Sequence, residues 1–91
     1  MEQQRNYLGS KMKYVMDEND DFRIIPLHMG HDSVGNYSTK SAGFVQFYQY
    51  DNDEGPSNLG AYCYGESVSL KKKSDSEHDS EIITRSLNSR F

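Results

Sequence analysis

The sequence predicts a small α+β domain: a mostly antiparallel four-stranded sheet, one C-terminal helix, and a short helical turn between strands 2 and 3. Three observations carry that expectation. Aromatic and β-branched runs alternate with polar, turn-forming segments from Lys13 to Leu70. The sharply acidic Asp17–Asp21 separates two such runs as a hairpin turn would. After Ser74 the apolar residues change to the spacing Ile82, Ile83, Leu87, which is one stripe of a helix.

Met1 to Ser10 is polar, without periodicity, and ends in Gly9-Ser10, so it reads as a flexible arm, residues 1–10, ahead of a single domain, residues 11–91. Tyr7 and Leu8 give that arm something with which to dock on a neighbour. Lys13-Tyr14-Val15-Met16 forms the first strand and Phe22 to Leu27 the second, with Pro26 at a strand end or edge because it lacks a ladder donor. His28 to Lys40 is small and polar; Asp32 or Ser33 can cap one helical turn, and Gly35-Asn36 prevents a longer helix. Ser41 to Tyr50 carries large groups on both faces and belongs in the middle of the sheet. Asp51 to Asn58 reads as an exposed connection, and Gly60 to Leu70 as the returning strand, with Tyr62, Tyr64, Val68 and Leu70 on one face. Ser74-x-x-Glu77 fits a capping box, acidic residues follow in the first turn, and Arg85 and Arg90 lie toward the negative end of the helix dipole.

Composition narrows the function classes. At 91 residues the chain supports one core, and 34% apolar residues against about 45–50% in ordinary domains makes that core thin. Seven tyrosines and four phenylalanines compensate with large contact areas, and such a core gains from self-association, so a homo-oligomer is expected. A net charge of −4 argues against a general surface for duplex nucleic acid, which would need a basic stripe, and leaves room for a local basic patch that holds a small anion. A single cysteine, Cys63, excludes an intramolecular disulfide, and neither a leader nor a long apolar run is present, so a cytoplasmic, non-membrane protein is expected.

The chemistry-bearing patterns are few. His28-Met29-Gly30-His31 has the form of an H-x-x-H metal pair, but its further ligands would have to come from Asp32, His78 or Cys63, and no second Cys/His pair exists; a loop with hydrogen-bonding histidines is the competing reading, and no metal or cofactor is assigned. No Gly-x-Ser-x-Gly elbow occurs, Cys63 in an aromatic strand reads as a buried inert thiol, and no residue set requires catalysis. The acidic runs Asp17–Asp21 and Asp51–Glu54 would share one end of the sheet if both are hairpin turns, forming an edge that steers toward a basic partner, or they are simply solvated turns. The segment from Gly65 to Lys73 offers a glycine able to leave negative φ, hydroxyls at Ser67, Ser69 and Ser74, and lysines that attract phosphate, with Tyr62 and Tyr64 placed to stack on a base.

Ser41-Ala42-Gly43-Phe44-Val45, Cys63-Tyr64-Gly65-Glu66-Ser67-Val68-Ser69-Leu70, and Asp79-Ser80-Glu81-Ile82-Ile83 together resemble a family of small uncharacterised proteins of bacteria and their phages. The resemblance covers the second half of the chain and implies that Ser41, Gly43, Gly65, Ser67 and Ser69 share one surface. Two functions follow as expectations. The first is a non-catalytic oligomeric binding protein for a small phosphorylated ligand, such as a nucleotide signal sequestered in a phage defence setting; Ser41, Gly43, Tyr64, Gly65, Glu66, Ser67 and Ser69 would form the site, and Lys71 and Arg85 would supply charge. The alternative is an acidic module or inhibitor that binds a host protein through tyrosine-rich and acidic surfaces.

Overall fold

The structure, a computed structural model, describes residues 5–34, 38–52 and 55–88. Strands β1 (Arg5–Asp17), β2 (Phe22–Ile25), β3 (Thr39–Asn52) and β4 (Gly55–Tyr64) form one antiparallel sheet in the order β2-β1-β3-β4. A 3-10 turn (His31–Ser33) lies between β2 and β3. After β4 come a small hairpin of β5 (Glu66–Ser67) and β6 (Lys72–Lys73), and then the helix α1 (Ser76–Asn88). The fold is α+β, as the alternation of strand and turn signals predicts. Among the described residues no helix is long and apolar enough to cross a membrane.

The core lies between α1 and one face of the sheet. Cross-strand partners share a face, so the register Tyr14↔Gly43, Met16↔Ser41 and Val45↔Cys63 fixes which side chains turn inward. Tyr14, Met16, Val45, Ala61 and Cys63 are buried there against Ile83, with Ile82 and Leu87 packed beside them. The apolar stripe expected of the helix is therefore the one that covers the sheet.

The helix also seals an edge. It runs antiparallel to β4, and its polar side chains at four-residue intervals meet strand groups at two-residue intervals. The Cys63 amide donates to Ser80 Oγ at 2.8 Å and the Ala61 amide to Thr84 Oγ1 at 2.9 Å, while Asn88 Nδ2 donates to the Leu59 carbonyl at 3.1 Å. Four helical residues rise about 6 Å and two strand residues about 6.7 Å, so the two ladders stay in step. An edge that would otherwise invite another strand is thus closed by side chains.

Several local expectations change. Arg5 to Ser10 is not an arm: Arg5, Asn6, Tyr7 and Leu8 pair with Tyr50, Gln49, Tyr48 and Phe47, because long β3 supplies ladder partners and Tyr7 meets the Tyr48 ring edge-on at 5.9 Å. Tyr7 and Leu8 remain 48% and 42% exposed. The connection expected from Asp51 to Asn58 is strand at both ends, since β3 runs through Asn52 and β4 starts at Gly55; Asp53, Glu54 and Arg90 lie outside the described residues, as do Met1–Gln4 and Gly35-Asn36. The strand expected to reach Leu70 stops at Tyr64, where Gly65 takes φ +77° and turns the chain into the β5–β6 hairpin. Asp17 and Asp51 sit at opposite ends of the sheet rather than together. Asp17 pairs with Thr39, whereas Asp51 follows Tyr50, the partner of Arg5, in a body 43 Å long.

The start of α1 is built differently from a Ser74–Glu77 box. The first helical bond is from the Asp79 amide to the Asp75 carbonyl at 2.8 Å, and Asp79 Oδ2 accepts from the Asp75 amide at 3.2 Å. Ser74 faces inward instead. Tyr14 gives its single hydroxyl proton to Asp79 Oδ2 at 2.6 Å, so Ser74 Oγ, 2.6 Å away, must donate to the tyrosine oxygen. Ser41 Oγ completes the set with a 2.7 Å bond to the same Oδ2. Asp79 is fully buried and ties the helix start to β1 and β3, while its Oδ1 has no hydrogen-bond partner among the described residues. Burial, reinforced by the bond to Asp79, holds the Tyr14 phenol far above its usual range. A second tie is exposed: Asp20 accepts from Lys40 and, at 2.9 Å, pairs with His78 on α1, and the Lys40 hydrogen bond is the first cause of its lowered pKa.

Candidate functional site

The sheet face opposite α1 carries a row of rings. Register brings Lys13, Phe44 and Tyr64 side by side across β1, β3 and β4. The Phe44 and Tyr64 centroids are 6.0 Å apart, and Tyr62 stacks on Tyr64 at 5.2 Å with planes 19° apart. Tyr62 is 41% exposed, and Lys11 Nζ sits 4.9 Å over the Phe44 ring. Aromatic faces beside cationic groups favour flat, anionic ligands.

A groove opens at the Phe44 end of this row, where the His31 turn and the β5–β6 hairpin lean toward each other. Its volume is about 310 Å³, and its lining includes Lys13, His31, Asp32, Phe44, Glu66 and Ser69. The polar groups there are held from behind. Lys13 Nζ donates to the Met29 carbonyl at 2.8 Å and keeps two further N–H donors. His31, only 4% exposed, lies 2.7 Å through Nε2 from the Gly43 carbonyl and packs edge-on against Phe44. A carbonyl can only accept, so Nε2 carries a proton and Nδ1 of the neutral ring is an acceptor.

The expected site residues divide into three groups. Glu66 and Ser69 line the groove, with Tyr64 and Gly65 beside it. Gly43 is buried under this region; a Cβ there would collide with the Tyr64 carbonyl oxygen and crowd Ser74, so glycine lets β3 pass beneath the turn. Ser41 and Ser67 are buried and committed inward: Ser41 bonds Asp79, and Ser67 Oγ accepts the Leu70 amide at 3.2 Å. Lys71 is exposed at the tip of the β5–β6 turn with φ 56°, and Arg85 lies on α1 and donates to Glu81; neither lines the groove. The hydroxyl surface implied by the resemblance is therefore split between interior and exterior.

Lys11, Lys13 and Phe44 were not read as site residues from the sequence, and His31 was weighed there only as a metal ligand or a hydrogen-bonding loop residue. The signal for them was cross-strand register: pairing Phe44 with Tyr64 places Lys13 beside both. Of the two histidines, His31 makes the kind of hydrogen bond expected of that loop, while His28 is exposed. Among the described residues no group of three His, Cys, Asp or Glu could hold a metal ion. Cys63 is fully buried, and burial first of all pushes its thiol up to about 12, so it is no nucleophile at neutral pH. A larger hollow of about 350 Å³ lies at the acidic β1–β2 turn, but Asp17 there already accepts the Asn19 and Asp21 amides and no ring row adjoins it. Comparison with protein-family models, curated proteins and solved structures finds no match to this chain.

Proposed function

We propose that the protein is a non-catalytic binding protein for a small phosphorylated ligand bearing a flat ring, a nucleotide in the simplest case. The observation that carries the reading is the groove floored by Phe44 where the aromatic row meets Lys11 and Lys13. The ring of the ligand lies against Phe44, and its phosphate lies toward the Lys11 ammonium group. Stacking on aromatics is worth about 1–3 kcal/mol per base, and Lys11 adds attraction for an anion in a chain that is otherwise acidic. Capture without turnover suits a role in sequestering a nucleotide signal. Self-association belongs to the same reading and is supported by Tyr7 and Leu8, exposed on the part of β1 that β2 does not cover. The acidic-module alternative draws less support, because Asp17 and Asp51 stand at opposite ends of the sheet.

Calorimetric titration of nucleoside monophosphates and their parent nucleosides tests the proposal. The monophosphates are expected to bind more tightly, and Lys11→Glu is expected to remove the difference. Absence of binding by every monophosphate, or a phosphate preference that survives Lys11→Glu, would overturn it.

A further inference from the structure

The polar lining of the groove is rich in acceptors, and that has a consequence for the ligand's ring. Glu66 and Asp32 both line it, and neither carboxyl has a hydrogen-bond partner among the described residues. His31 adds a third acceptor of a different kind. Its ring is almost wholly buried and fixed through Nε2 by the Gly43 carbonyl, which leaves Nδ1 of the neutral ring as the acceptor. The donors are fewer: the spare N–H groups of Lys13 and the Ser69 hydroxyl.

Resting on the nucleotide reading above, we infer that the groove selects guanine. Guanine alone among the common bases presents two adjacent donors, N1–H and the N2 amino group, which a single carboxylate can accept together, with O6 beside them as an acceptor for a cationic donor. Glu66 takes the paired donors and Lys13 takes O6. Adenine sets one amino group beside a ring nitrogen that a carboxylate repels, and uracil sets its single N–H between two carbonyls. Hypoxanthine keeps N1–H and O6 but lacks the amino group, so it falls between guanine and adenine.

Calorimetry with GMP, IMP, AMP and UMP, on the wild-type protein and on Glu66→Gln, decides the matter; Glu66 is exposed, so its substitution leaves the fold in place. The expected result is GMP binding about tenfold or more tighter than AMP and UMP, with IMP between them. Glu66→Gln is expected to weaken GMP and to strengthen AMP, because a carboxamide accepts from the adenine amino group and donates to its ring nitrogen, so that the guanine preference is lost. Equal binding of all four, or a guanine preference that persists in Glu66→Gln, overturns guanine selection and leaves the nucleotide reading standing. Binding of none of them overturns both.

Discussion

Removing the carboxyl at Asp79 should detach the start of α1 from the sheet. In Asp79→Ala, three donors lose their acceptor at once: the Tyr14 hydroxyl, the Ser41 hydroxyl and the Asp75 amide. Asp75 is exposed and can turn to water, but Tyr14 and Ser41 are 0% and 3% exposed and cannot. Each buried donor left unsatisfied costs about 1–3 kcal/mol. Tyr14 is partly spared, because it keeps Ser74 within 2.6 Å. Relief of burying Asp79 with Oδ1 unpartnered offsets part of the loss, leaving a net destabilisation of about 2–4 kcal/mol. Against about 5–15 kcal/mol for a whole domain that is a large fraction, and a chain of 91 residues with a thin core belongs at the low end. Urea unfolding followed by far-ultraviolet circular dichroism should therefore show the midpoint falling by at least 1 M, taking a slope of about 1–2 kcal/mol per molar. Tyr14→Phe should cost less, and the two changes should be non-additive in a double-mutant cycle. An Asp79→Ala protein within about 0.5 kcal/mol of wild type would refute the claim that this carboxyl fastens the helix.

Three further outcomes follow from the same packing. Ser80→Ala with Thr84→Val orphans the buried Cys63 and Ala61 amides and should cost about 2–5 kcal/mol by urea unfolding; light scattering should also show association through the uncovered β4 edge. An unfolded chain releases the Cys63 proton from about pH 9.0 whereas the folded protein keeps it to about 12, so stability is complete below that window and falls by up to about 1.4 kcal/mol per pH unit as pH rises through it. Denaturation at pH 8 and pH 10 should show the decline in wild type and a shallower one in Cys63→Ala. Lys71→Gly relieves a left-handed backbone at the β5–β6 turn and should raise stability by about 0.5–1 kcal/mol, with nucleotide affinity unchanged because Lys71 stands outside the groove.

How much of this was legible in the sequence depended on whether the signal was local. The β1–β2 turn, the central place of β3 and the apolar stripe of α1 rest on spacing within one segment, and all three appear in the structure. Gly65 was legible only in part: its freedom to leave negative φ could be read from the residue, but the strand was expected to run on to Leu70 rather than to turn there. What failed was long-range. Ser41 carries no mark in its own neighbourhood that it will meet Asp79, 38 positions later, and a serine reads as a surface hydroxyl until that pairing is known. Arg5 to Leu8 is polar and aperiodic, yet becomes strand because β3 is long enough to pair with it. The groove combines residues from β1, the His31 turn, β3 and the β5–β6 hairpin, so it emerges only when the strands are placed in register.

The most direct measurement of the central claim is a two-dimensional NMR titration of the labelled protein with GMP. The account predicts that the amides of Lys13, Gly30, His31, Phe44, Glu66 and Ser69 shift together with saturation, while those of Arg85 and the rest of α1 stay in place. Shifts centred on α1, or on the hollow beside Asp21 and Arg23, or no saturating shift at all, would contradict it.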